Sequence, residues 1–211
     1  TDLGAALIFF VVYLVMLFVA TRQWLYAIAG LGAGAAAAVV GYHLFSHIQV
    51  RVEAWQDPIG TYSGSGYQVA QSLFAIGTGS WFGTGLFKGQ PDTIPVSETD
   101  FIFSVAGEEL GFIGSAAILI VLFLIICECI RTGWKAKDLS GKLICCGVAS
   151  IIAVQGFINI CVATGIAPNT GTPLPFVSYG LSSMVSLYTG MGLVLNVGLQ
   201  KNRDYREVGK L

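Results

Sequence analysis

The sequence predicts an all-α, polytopic membrane protein with one large loop outside the membrane. Three observations predict it. The 211 residues are 55% hydrophobic and 11% charged, whereas a soluble domain carries about 25% charged residues. Five apolar runs approach the ~20 residues a helix needs to cross the hydrocarbon core. The basic residues are distributed unevenly between the two sets of loops, as expected of a membrane protein with a fixed orientation.

The runs cover residues 3–20, 24–45, 112–130, 143–164 and 181–199. Backbone polar groups cannot go unpaired in lipid, so each run is read as a helix. The second is rich in glycine and alanine (GLGAGAAAAVVG), which suits close helix packing. Arg22 lies between the first two runs. Arg131, Lys135, Lys137 and Lys142 lie between the third and fourth. Lys201, Arg203, Arg206 and Lys210 follow the fifth, so nine of the eleven Lys and Arg share one side. That side is assigned to the cytoplasm of a bacterial cytoplasmic membrane. The C-terminal tail, residues 200–211, is then cytoplasmic. Residues 46–110 and 165–180 are extracytoplasmic, with Arg51, Lys88 and most acids from Asp2 to Glu109. All 211 residues are read as a single membrane domain.

Composition also excludes several classes. A net charge of −1 gives no case for a nucleic-acid partner. The five cysteines fall in or beside apolar runs without CxxC spacing, so neither a disulfide framework nor a metal site is expected. The chain starts at Thr1 with no signal-peptide pattern, as a piece of a longer protein would.

The long loop is rich in glycine and aromatic residues and poor in charge. It is therefore expected to be ordered and to carry the chemistry. Within it, residues 66–77 read as a short interfacial or re-entrant helix with Tyr67, Ala70, Gln71 and Phe74 on one face. A second helix is expected from near Ser97, running on into the third span. It would place Asp100, Ser104 and Glu108 along one stripe. Ser97 and Asp100 also match a capping box, so helix capping is the structural alternative for Asp100. Glu108 sits where an unpaired carboxylate is expensive, so it is a site candidate or a solvated helix end.

Arg51 and Lys88, the bases outside, suit an anionic ligand or structural pairing with the acids. Trp55 and Trp81 could be interface anchors or ligand contacts. The last loop, GIAPNTGTPLPFVSYG, is shaped by its prolines and glycines. Ser178, Tyr179, Ser182 and Ser183 cluster at the mouth of the fifth span, where hydroxyls could cap the helix or meet a phosphate. Gln155 and Asn159, one turn apart, suit hydrogen bonding between helices. Gln71, Arg51, Lys88, Glu108, Ser178, Tyr179 and Ser182 are carried forward as substrate-binding candidates.

The blocks DLGAAL, RVEAWQDP, GSGYQVAQSL, AIGTGSWFGTGL, IPVSETDFIFSVAGEELG and GIAPNTGTPLPFVSYG follow one another along essentially the whole chain. In this order they resemble the SEDS family (shape, elongation, division and sporulation), represented by FtsW, RodA and SpoVE. Against that resemblance the chain looks like a C-terminal half. Two departures are local: Val96 stands where the common PE-x-x-TDF has its acid, with Glu98 two residues on, and SYGGSS reads SYGLSS with Leu181.

The resemblance implies an activity: polymerisation of lipid II into peptidoglycan glycan strands, with undecaprenyl pyrophosphate leaving. It implies a class B penicillin-binding protein as partner, alongside other division or elongation membrane proteins. The family's catalytic aspartate matches Asp100. No dedicated metal cage is expected, although a divalent cation (Mg or Mn) could bridge phosphates. The competing expectations are a lipid II flippase or transporter, and a non-catalytic scaffold for the penicillin-binding protein. The flippase reading is weakened because ionisable groups cluster outside, not at mid-membrane where transport sites lie.

Overall fold

The computed structural model describes residues 3–208, with side chains described for residues 4–200. Asp2 and Lys210 lie outside the described residues, and the side chains of Lys201, Arg203 and Arg206 outside the described side chains. Seven α-helices follow in order: α1 (Leu3–Thr21), α2 (Trp24–Leu44), α3 (Ser46–Gln56), α4 (Tyr67–Gly79), α5 (Ile102–Lys135), α6 (Leu139–Ala163) and α7 (Leu181–Val208). Five of them, α1, α2, α5, α6 and α7, are long and apolar enough to cross a membrane.

The centre of the bundle is the α5–α6 pair, flanked by α1, α4 and α7. Phe103, Leu122, Ile152, Leu174 and Leu187 form its main apolar cluster. The glycines of α2 bring it close to α1: a Cβ at Gly30 or Gly34 would meet Leu14 or Phe10. No residue of α2 is buried. Both loops of interest emerge at the same end, since Gly4 at the start of α1 abuts Thr170 and Thr172, while Gly147 near the other end of α6 meets Met16.

Several boundaries differ from the sequence expectation. The fourth span starts at Leu139, not residue 143, because the Asp138 carboxylate accepts the Gly141 N–H at 2.7 Å and caps the helix before its apolar run begins. Residues 46–56, expected as loop, form α3. The helix expected from Ser97 starts only at Ile102. Its N-cap is Phe101, with no side-chain cap. The capping box at Ser97 and Asp100 therefore does not form. The Asp100 N–H bonds to the Val96 carbonyl at 3.2 Å in a turn, and Val96 itself has a left-handed φ of 59°. Asp100 thus precedes the helix on which Ser104 and Glu108 lie.

The third span does not start afresh at residue 112. It is the lower part of α5, which breaks at Gly111 (φ 68°, ψ −167°). A break leaves helical donors and acceptors without partners, and buried backbone groups must find others. The segment after α4 supplies them. The Thr84 and Gly85 N–H groups donate to the Glu108 and Glu109 carbonyls at 2.9 and 3.0 Å. The Phe112 and Ile113 N–H groups donate to Ser80 and Trp81 at 2.9 and 3.2 Å. A side chain at Gly111 would strike the backbone at Trp81, Phe82 and Gly83, so the paired glycines of this region allow the strand of chain to seal the break.

The second loop does not stay at the surface. Gln155 donates to the Pro173 carbonyl at 3.0 Å, and Asn159 to Thr172 at 2.7 Å. Gln155 precedes the end of α6 at Ala163 by eight residues, about 12 Å along a helix rising ~1.5 Å per residue. The loop therefore dips back along α6, with Leu174 fully buried. Irregular backbone at such depth needs protein partners, and this is what the two amide side chains provide. They were expected to bond helix to helix; they bond helix to re-entrant loop instead.

Candidate functional site

Asp100 is held from outside its own turn. Three consecutive carbonyls, those of Glu98, Thr99 and Asp100, each accept a hydrogen bond from α6 or from the loop that follows it. The Tyr179 N–H donates to Glu98 at 2.8 Å. The Ser178 hydroxyl donates to Thr99 and accepts the Leu174 N–H at 2.6 Å. Asn159, 1% exposed, donates one amide hydrogen to Asp100 and the other to Thr172, both at 2.7 Å. Phe101, fully buried, anchors the next position in the apolar cluster of Ala75, Ile94 and Val162. The backbone is thereby fixed while the Asp100 side chain stays partly exposed. Gly171 of the second loop (φ 71°) lies beside it: a Cβ there would be 3.7 Å from Asp100 Oδ2.

The same loop carries Arg51 into the neighbourhood. Arg51 and Trp55 lie one turn apart on α3, hence on one face. Trp55 Nε1 donates to the Gly165 carbonyl at 2.8 Å, and Arg51 Nη1 to the Asn169 carbonyl at 3.2 Å. The Asn169 side chain accepts the Gly171 N–H at 2.9 Å and donates to Gln68 at 3.3 Å. A cleft of about 440 Å³ opens between α3, the start of α4 and Asn169.

The other candidates are placed as follows. Ser178 is buried and satisfied on both sides, so it neither caps α7 nor faces a ligand; it fastens the Asp100 turn. The Tyr179 ring is 79% exposed while its N–H holds Glu98. Ser182 is exposed in the first turn of α7. Gln71 donates to the Tyr62 hydroxyl at 2.8 Å. Of the face expected for Tyr67, Ala70, Gln71 and Phe74, the Tyr67 and Phe74 rings and the Gln71 amide meet Tyr62, whereas Ala70 lies instead with Val69, Ser72 and Ala75 on the buried face of α4.

Lys88 and Glu108 belong to a separate cluster. The buried Glu108 carboxylate accepts the Gln90 N–H at 3.2 Å and contributes to sealing the break in α5. Lys88 is exposed on the same sealing segment. Trp81 is exposed and packs edge-on against Phe112. Glu98, near the position of the family acid, has an exposed side chain and uses its carbonyl.

Among the described residues no three of His, Cys, Asp and Glu are grouped to hold a metal ion. A larger cavity, about 580 Å³, lies at the opposite end between α5 and α7; its lining is apolar apart from Glu128 and Thr132, and it does not include Asp100.

Asn159, Asn169 and Gln68 were not among the expected site residues. For Asn159 the signal was present, an amide inside an apolar span, but its partners lie 59 and 13 residues away. Nothing local marks Gln68 and Asn169 as a pair.

Comparison with known proteins bears directly on this arrangement. The FtsW/RodA/SpoVE model, described as cell cycle protein, matches residues 1–203. The chain belongs to the FtsW/RodA/SpoVE family. Among its relatives, the peptidoglycan glycosyltransferase RodA of Mycobacterium tuberculosis (strain ATCC 25618 / H37Rv) is 40% identical over 205 residues, which cover 97% of this chain and 44% of that protein. Stage V sporulation protein E of Bacillus subtilis (strain 168) is 38% identical over 203 residues, covering 93% and 54%. The chain thus spans about half the length of these family members. A chain from a solved peptidoglycan synthase complex, reported for its coordination of polymerization and crosslinking, superposes with a TM-score of 0.76 at 31% identity, over 95% of this chain and 56% of that one. A solved aspartate-to-alanine mutant of the Thermus thermophilus rod shape determining protein RodA gives 0.62 at 28% identity, over 95% and 51%.

Proposed function

We propose that this chain carries the catalytic aspartate of a peptidoglycan glycosyltransferase that polymerises lipid II at the outer face of the bacterial cytoplasmic membrane. The observation that carries the reading is the mount of Asp100. Three successive carbonyls are fastened by separate donors, and the partly exposed Asp100 side chain lies beside Gly171 of the second loop. Fixing a side chain this way limits its freedom before substrate arrives, which is what positional catalysis requires.

In this reading the 4-hydroxyl of the acceptor N-acetylglucosamine attacks C1 of the donor N-acetylmuramic acid. The C1–O bond to undecaprenyl pyrophosphate breaks, and the α-linkage becomes β. Asp100 accepts the hydroxyl proton as general base, a role worth about 10²–10⁴-fold in rate. Charge developing on the leaving pyrophosphate needs cationic or hydrogen-bonding partners. A divalent cation would be held chiefly by phosphate oxygens. The polyprenyl tail lies against the apolar spans. The loop end faces the cell exterior and the C-terminus the cytoplasm, supported by the basic residues between α1 and α2 and between α5 and α6. The partner is a class B penicillin-binding protein, a pairing supported by the likeness to a chain of a peptidoglycan synthase complex.

The test is polymerisation of purified lipid II by the complete gene product with its penicillin-binding protein, read as a glycan ladder with moenomycin present. Ladder from the native pair and none from Asp100→Ala supports the reading. Equal ladders would remove Asp100 from the chemistry, and no ladder from either folded pair would favour a transporter or a scaffold.

A further inference from the structure

We propose that the cleft between α3, the start of α4 and the 164–180 loop is an anion subsite, in which Arg51 receives the charged group of an N-acetylated saccharide ligand. The inference rests on the polymerase reading for its choice of ligand, but its geometry stands by itself. At about 440 Å³ the cleft is of small-molecule size. One wall is apolar, from Val50, Ala54 and Pro95, and the polar remainder comes from Arg51, Gln68 and Asn169 with Ser65 and Tyr67. None of its lining residues is acidic.

A guanidinium offers five N–H donors in a planar fork. One of them meets the Asn169 carbonyl at 3.2 Å. Among the described residues the ion pair that forms is Arg131–Glu128, on the far end of α5, so no carboxylate of these residues neutralises Arg51. A cleft with two amides, two hydroxyls and a cation that pairs with no carboxylate of the described residues selects a ligand that is anionic and rich in hydroxyl or amide groups. The alternative cation, Lys88, sits on the segment that seals the break in α5 and does not line this cleft.

The cleft is also aimed. Arg51 and Trp55 moor one face of α3 to the second loop, so the guanidinium is carried on a tethered helix. Asn169, which forms the cleft wall, binds the N–H of Gly171, the residue that flanks the Asp100 carboxylate. A ligand whose charge rests on Arg51 would therefore present its neighbouring sugar along residues 169–171 toward Asp100. Two anionic groups of such a ligand fit the same fork: the pyrophosphate that joins sugar to lipid, and a carboxylate of the peptide on the muramic acid.

The experiment uses the complete gene product in lipid nanodiscs. Calorimetric titrations with inorganic pyrophosphate and, separately, with N-acetylmuramyl pentapeptide are compared between the native protein, Arg51→Gln and Arg51→Lys. Gln removes the charge and, being shorter, also gives up the Asn169 contact, whereas Lys keeps the charge; matching thermal unfolding checks that the loop stays fastened in both. The expected result is a Kd for one probe raised at least tenfold by Arg51→Gln and less by Arg51→Lys; which probe responds names the group. Failure of both probes to bind, or a Kd changed less than twofold by Arg51→Gln, overturns the proposal. Lipid II polymerisation measured alongside separates the two readings. Arg51-dependent probe binding without polymerisation by the native protein keeps the subsite and removes the polymerase. Polymerisation with an unchanged KM for lipid II in Arg51→Gln keeps the polymerase and removes the subsite.

Discussion

Replacing Ser178 by alanine tests whether the Asp100 turn is held from the second loop. The change deletes one oxygen and creates little cavity. It strands the Leu174 N–H, which loses its 2.6 Å acceptor, and the Thr99 carbonyl, which loses its donor. Leu174 is 1% exposed, so its N–H has no route to water. An unsatisfied buried donor costs about 1–3 kcal/mol, and a lost ordinary hydrogen bond about 0.5–1.5 kcal/mol. The sum is a destabilisation of about 1.5–4.5 kcal/mol, measured by chemical unfolding in a defined detergent. Chemistry should suffer as well, because a displacement of about 1 Å at a catalytic group can cost ~10²-fold. Polymerisation should fall about 10–100-fold in kcat with a smaller change in KM. Asn159→Ala removes a different fastener of the same turn, so the double variant should lose less than the sum of the singles. If Ser178→Ala unfolded within about 0.5 kcal/mol of the native protein and polymerised at its rate, the reasoning would fail.

Further expectations follow from other parts of the fold. Gly111→Ala places a Cβ against the backbone of the sealing segment at a left-handed φ, and should destabilise by at least ~2 kcal/mol in the same unfolding assay. Val96→Gly relieves a β-branched residue at φ 59° and should stabilise by about 1 kcal/mol, provided the turn is retained. Glu128→Gln breaks an ion pair whose side chains are 64–67% exposed, and should change unfolding by less than about 1 kcal/mol.

What the sequence disclosed, and what it hid, divides along physical lines. The five spanning helices were legible because the bilayer demands long apolar runs, and the side-chain composition records that demand directly. Helix α3 was not, because Ile48, Val50, Val52 and Ala54 alternate as in a strand, and the partners of Arg51 and Trp55 lie 118 and 110 residues away. Asp100 was singled out by motif, yet its local role was misjudged. Ser97 and Asp100 have capping-box spacing, but contacts from residues 159, 178 and 179 override the local preference and hold the turn before the helix. Gln155 and Asn159 showed as polar groups inside an apolar helix, a pattern that demands partners without naming them. The break at Gly111 was hidden for the same reason: the groups that repair it come from residues 80–85.

The most direct test of the central claim is the initial rate of glycan-strand formation by the complete gene product with its penicillin-binding protein, comparing Asp100→Asn with the native protein. Asn preserves size and removes the proton acceptor. An exposed acid at the opposite end of α5, Glu128→Gln, serves as control. The account predicts a rate lowered by about 10² or more for Asp100→Asn, native-like unfolding, and a control at the native rate. Polymerisation at the native rate by folded Asp100→Asn would contradict it.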